Sequence, residues 1–168
     1  MSGYRVLIYG FGNPGRQDDG VGVVLTNLLE KEGFDHVDID YNYQLNIEDA
    51  LTISEYDAVI FVDASLDAEP PFDFYRISAK DDITFTTHSL SPESVLALCS
   101  DVYHKIPEAY VLAVRGYEWE FVEKMSQKGE ENLFAAFGFI KKMLSNLTPS
   151  LLNNEASIRS KTSKTTAV

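Results

Sequence analysis

YRVLIYGFGNPGRQDDGVGVVLTNLLEKEG, residues 4–33, holds a strand, a glycine-rich loop and a helix in succession. YRVLIYG (4–10) is a short apolar run with β-branched and aromatic residues, closed by glycine, and it predicts a buried strand. GVGVVLTNLLEKEG (20–33) spaces its apolar residues for a helix and stops at Gly33, a C-cap residue. Between them, Gly10-Phe11-Gly12-Asn13-Pro14-Gly15 satisfies G-x-G-x-x-G, the dinucleotide fingerprint. Asp18 and Asp19 follow where pyrophosphate would meet the helix N-terminus, and two carboxylates there repel phosphate and take up the free N–H groups. The loop is therefore better suited to a cation than to a nucleotide.

Working outward, the same rhythm repeats. HVDIDYNY (36–43) alternates as a strand, and a short helix follows Asn46 (NIEDALTI). DAVIFVDAS (57–65) is the clearest buried strand, wholly apolar from Ala58 to Val62 before Asp63 interrupts it. FDFYRI (72–77) and ITFTTH (83–88) are shorter strand candidates. SPESVLALCSDVYH (91–104) reads as a helix with Ser91 as N-cap and Pro92 at its first position. AYVLAV (109–114) is a last strand and EENLFAAFGFIKKMLSNL (130–147) a last long helix. Strands alternating with helices predict an α/β sandwich around a mostly parallel sheet.

At 168 residues the chain is expected to form one domain over 1–149, with a flexible, polar and basic tail over 150–168. No apolar run approaches a membrane span, and the N-terminal residues lack the layout of a signal peptide. A single cysteine, Cys99, excludes an internal disulfide or a Cys-pair metal site and reads as a small apolar helix residue. These features predict a cytoplasmic protein that does not insert into membranes. A net charge of −12 opposes binding to nucleic acid, which needs basic residues against phosphate.

In open α/β sheets, ligands bind beyond the carboxyl ends of the strands. Asp63 ends the most apolar strand, His88 ends ITFTTH, and Asp19 follows the first strand by a short loop. Two carboxylates and an imidazole at one sheet edge suit a divalent transition metal. Each residue also has a simpler explanation. Asp18 or Asp19 can serve as helix-start charge, Asp63 as a solvated strand end, and His88 as a hydrogen-bonded loop histidine. His36 and His104 read as structural.

These residues together resemble a known family. Gly10-Phe11-Gly12-Asn13, then Asp18-Asp19-Gly20-Val21-Gly22, the strand ending Asp63-Ala64 and the later His88 are similar to the endopeptidases that mature nickel–iron hydrogenases. Gln44-Leu45-Asn46-Ile47-Glu48 and Gly116-Tyr117-Glu118 resemble weaker signatures of that family. The resemblance spans about residues 4–147. It implies a three-layer α/β/α sandwich with a five-stranded sheet, one strand antiparallel. It also implies removal of a C-terminal extension from a hydrogenase large-subunit precursor after nickel insertion. Asp19, Asp63 and His88 correspond to the metal-contacting and catalytic set, with Gly12, Asn13, Asp18, Gln44 and Glu118 in support. The nickel would arrive on the precursor rather than reside in the enzyme. Asp19 is one methylene shorter than the glutamate that some relatives carry there.

Two other readings remain open. The GNPG segment also resembles peptidyl-tRNA hydrolases, but those need a histidine soon after the loop and a basic surface, whereas the first histidine here is His36. A non-catalytic metal-binding protein would retain the same ligand types. No serine or cysteine has a nucleophile's setting, so no acyl-enzyme is expected.

Overall fold

The computed structural model describes residues 3–79 and 90–156. Its strands are β1 (Val6–Phe11), β2 (Val37–Asn42), β3 (Ala58–Ser65), β4 (Phe72–Ile77) and β5 (Glu108–Arg115). They form one five-stranded sheet in the order β2-β1-β3-β5-β4. All neighbours are parallel except β4 and β5, which are antiparallel. The helices are α1 (Val21–Glu30), α2 (Asp49–Ser54), α3 (Pro92–Tyr103) and α4 (Gln127–Ser145). The strand expected over 83–88 lies outside the described residues.

Sequence pattern and position in the sheet agree for a physical reason. β1, β3 and β5 are interior strands covered on both faces, so their apolar runs are nearly continuous. Val6, Ile8, Ile60 and Val62 point to one face, where α1 and α4 supply Leu25, Leu29, Leu133 and Ile140. Leu7, Tyr9, Val59 and Phe61 point to the other, against Ile53 of α2 and Val95, Leu96 and Cys99 of α3. β2 is an edge strand and keeps the alternation of a half-covered one: Val37 and Ile39 pack inward while Asp38 and Asp40 are exposed. The result is the three-layer α/β/α sandwich.

Caps set the helix boundaries. Ser91 accepts from the Ser94 N–H at 3.1 Å and Pro92 opens α3, as the sequence indicates. α4 begins at Gln127, earlier than the apolar pattern at 130, because the Ser126 hydroxyl accepts from the Gly129 N–H at 3.0 Å. Gly33 lies beyond the end of α1 with φ +69°.

The expected tail boundary at residue 150 needs correction. Residues 149–156 are helical, and Leu152 and Ala156 are fully buried in the core beneath α4. Composition over the whole stretch is polar, but Leu152 and Ala156, one helical turn apart, face the core and anchor this segment, with Leu151 partly buried beside them.

Candidate functional site

The glycines of the opening loop allow backbones to meet where a phosphate cradle would need open space. A Cβ on Gly12 would lie 2.1 Å from the Asp19 carbonyl oxygen, and Gly12 adopts φ +137°, closed to other residues. A Cβ on Gly22 would lie 2.4 Å from the carbonyl oxygen of Val62. The start of α1 therefore rests directly on the carboxyl end of β3. Between β1 and α1 a single 3-10 turn, Gln17–Gly20, carries both aspartates over that edge. β1 and β3 are neighbours whose connections run to opposite faces, so this is the sheet's switch point.

The two aspartates of the turn have different fates. Asp18 is 1% exposed and caps nothing on its own helix. Its Oδ2 accepts from the N–H groups of Tyr117 (2.7 Å) and Glu118 (3.1 Å) and from the Ser126 hydroxyl (2.6 Å). Its Oδ1 accepts from the Ser126 N–H at 2.8 Å. Burial alone would raise the pKa of this carboxyl, but the hydrogen bonds led by Ser126 outweigh it and hold Asp18 below the usual range. Gly116 and Gly129 flank it so closely that a Cβ on either would collide with the Asp18 side chain. Asp18 thus joins the turn to the segment between β5 and α4.

Asp19 is half-buried, and its Oδ2 accepts from the Asn13 N–H at 3.0 Å, while Asn13 Oδ1 accepts from the Gly15 N–H at 2.8 Å. Asn13 therefore shapes the loop and holds the second carboxylate. Asp63 is also half-buried, and its Oδ1 accepts from the Ala64 N–H at 2.8 Å. Burial, and secondarily the nearby charge of Asp19, push Asp63 up to about 7 against the pull of the Ala64 N–H. Asp19 thus stands near enough to Asp63 for its charge to add to the elevation that burial causes.

His88 lies outside the described residues. Among the described residues, no group of three His, Cys, Asp or Glu side chains forms a cation site. Gln44 is exposed beyond β2, and its carbonyl accepts from Asn46 Nδ2 at 3.4 Å. Glu118 is exposed, and it contributes chiefly main chain: its N–H to Asp18 and its carbonyl to the Asp18 N–H. Ser126 and Gln17 are supports that local pattern reading misses. Gln17 reaches Lys124 O and receives the Glu120 N–H, partners far away in sequence.

A cavity of about 220 Å3 opens beside the loop, lined by Gly12, Pro14, Val23, Tyr41, Asn42 and Tyr43. It is smaller than the roughly 300–1,000 Å3 of small-molecule sites, and no basic side chain lines it, which disfavours a dinucleotide there. The remaining nucleophile and ligand candidates sit elsewhere. Cys99 is buried in α3 and donates to Ala50 O at 3.3 Å, and burial pushes its thiol up to about 11. His36 and His104 adopt left-handed turns (φ +63° and +56°) before β2 and β5, at the opposite sheet edge.

Comparison with solved structures gives the same architecture. The nickel–iron hydrogenase maturation protease HycI from Thermococcus kodakarensis matches with a TM-score of 0.67 and 20% identity, over 84% of this chain and 92% of that one. The hydrogenase maturating endopeptidase HybD from E. coli matches with a TM-score of 0.66 and 20% identity, over 84% and 93%. A hydrogenase 2 maturation peptidase from a Thaumarchaeota archaeon matches with a TM-score of 0.62 and 24% identity, over 83% and 97%. No protein-family model and no curated protein matches the sequence. At these identities the likeness establishes the shared fold.

Proposed function

We propose that the chain is an endopeptidase that removes the C-terminal extension of a nickel–iron hydrogenase large-subunit precursor once nickel has been inserted. One observation carries the reading: Asp19 and Asp63 converge at the switch point of a fold shared with solved hydrogenase maturation proteases. The loop motif G-x-G-N with D-D-G-x-G, and its dense glycine packing, support the same assignment. A cytoplasmic location belongs to this proposal; among the described residues no helix is long and apolar enough to cross a membrane.

The donor chemistry suits a divalent ion. Asp63 is held near neutrality partly by the Asp19 charge, and a cation between them would relieve that repulsion. Asp19, Asp63 and His88 would receive the nickel that the precursor carries. Bound there, the ion supplies Lewis-acid polarisation of a nearby carbonyl or water. In the hydrolysis, water adds its oxygen to the carbonyl carbon, the C–N bond breaks, and the new amine gains a proton. A carboxylate of the pair would accept that proton and return it to the amine. Asp18, saturated by four hydrogen bonds, fixes the turn and takes no part in proton transfer.

The test is incubation with the cognate precursor, nickel-loaded and nickel-free in parallel, read by intact mass. The expected result is loss of the extension only from the loaded form. No cleavage of a correctly loaded precursor by the folded chain would overturn the assignment in favour of a non-catalytic metal-binding protein.

A further inference from the structure

Segment 116–126, GYEWEFVEKMS, contains neither helix nor strand and links β5 to α4 at the same sheet edge as the carboxylate pair. Binding residues are often carried on loops that a rigid scaffold positions. This one is tied down along its length. Asp18 takes four of its donors, three main-chain N–H groups and one hydroxyl, near both ends. Gln17 donates its N–H to Val122 O at 2.9 Å, receives the Glu120 N–H at 3.0 Å and reaches Lys124 O at 3.1 Å. Gln17 adopts φ +47°, an unfavourable conformation for a non-glycine residue that these contacts hold in place. Arg16 places two guanidinium N–H groups on Trp119 O, at 3.0 and 3.2 Å, and stacks 5.0 Å from the Phe121 ring centroid.

The segment nevertheless presents apolar side chains to solvent. Phe121 is 81% exposed and Val122 52% exposed. Leu66, 68% exposed, follows β3 alongside, where the Gly116 N–H donates to Ser65 O at 2.9 Å. Exposed glutamates 118, 120 and 123 alternate with the aromatics, and Asp67 and Glu69 stand beyond Leu66. These five carboxylates outnumber the three cations nearby, Lys124, Lys128 and the Arg16 that lies over Phe121, on a chain of net charge −12. An aromatic side chain held rigid and exposed has already met the ordering cost of association, as the anchors of protein interfaces do.

We infer that segment 116–126 is a preformed docking platform, centred on Phe121, for a polypeptide segment in which an apolar side chain is flanked by Lys or Arg. Charge complementarity selects that occupant, and the platform's attachment through Gln17 and Asp18 sets it beside Asp19. The inference rests on the proposed function in taking this occupant to be part of the hydrogenase precursor.

The experiment measures affinity by calorimetry and cleavage by mass, on the full chain and nickel-loaded precursor at two salt concentrations. Phe121→Ser should weaken binding about tenfold while leaving kcat and Tm unchanged, with Phe121→Tyr restoring affinity. A Glu120→Lys/Glu123→Lys double variant should weaken it further and lose the salt dependence. Equal affinity in the wild type and Phe121→Ser, with cleavage intact, overturns the platform and leaves the protease reading standing. Binding that responds to Phe121 without any cleavage supports the platform and overturns the protease reading. A loaded precursor that neither binds nor is cleaved overturns both.

Discussion

Asp18 and Asp63 are both carboxylates taken out of water at one sheet edge, yet their surroundings drive them in opposite directions. Asp18 meets two loop N–H groups, the Ser126 N–H and the Ser126 hydroxyl, and stays ionised. Asp63 meets one N–H, from its own neighbour Ala64, and faces Asp19, so it retains a proton up to about 7. The first is structural because its hydrogen-bonding capacity is filled. The second keeps its proton further up the pH scale because burial is offset by a single N–H. Burial of a carboxylate is therefore no guide to its role; its complement of donors is.

The contrast can be broken experimentally. Asp63→Asn should lower precursor cleavage on the order of 10^3-fold with the fold retained; near-normal cleavage would remove Asp63 from the mechanism. Asp18→Ala should cost about 3–5 kcal/mol of stability, because it leaves the loop donors unpaired and buried. Denaturant unfolding would read this, and a loss below about 1 kcal/mol would contradict the hub assignment.

The pH dependences should also oppose each other. Asp63's folded pKa lies above its unfolded value near 3.8, so between about pH 4 and 7 the unfolded chain ionises while the folded one keeps its proton. Its contribution to stability therefore falls across that window, by up to about 4 kcal/mol, and Asp63→Asn should flatten the slope. Asp18's folded pKa is lowered, so its contribution is present above its unfolded pKa and is lost as pH falls through the folded one. Melting curves from pH 3 to 8, without added metal, check both signs. The smallest expected effect is that of Asp19→Asn on Asp63. The midpoint of Asp63 should drop only modestly, since burial is the larger cause of its elevation, and carbon-detected NMR titration would measure it.

Periodicity and caps act over a few residues, so the local sequence indicates the five described strands, most helices and the position of the Asp19 turn. The antiparallel placement of β4 was readable too: only residues 66–71 separate it from β3, too few for the dozen or so that a parallel crossover needs. The family resemblance implies the same antiparallel strand. The partners of Asp18 could not be read locally, since Tyr117, Glu118 and Ser126 lie about a hundred residues away and meet it only through sheet order. Leu152 and Ala156 were hidden by polar neighbours. His88 carries the part of the site that rests on the sequence reading alone.

Bonding to a buried carboxylate also separates irregular shape from mobility in segment 116–126. Loop amides ordinarily trade their protons with solvent quickly. The N–H groups of Tyr117, Glu118 and Ser126 point instead at Asp18 and should exchange on the slow timescale of the surrounding helices. Deuterium uptake would then show a protected island in a stretch with no regular secondary structure.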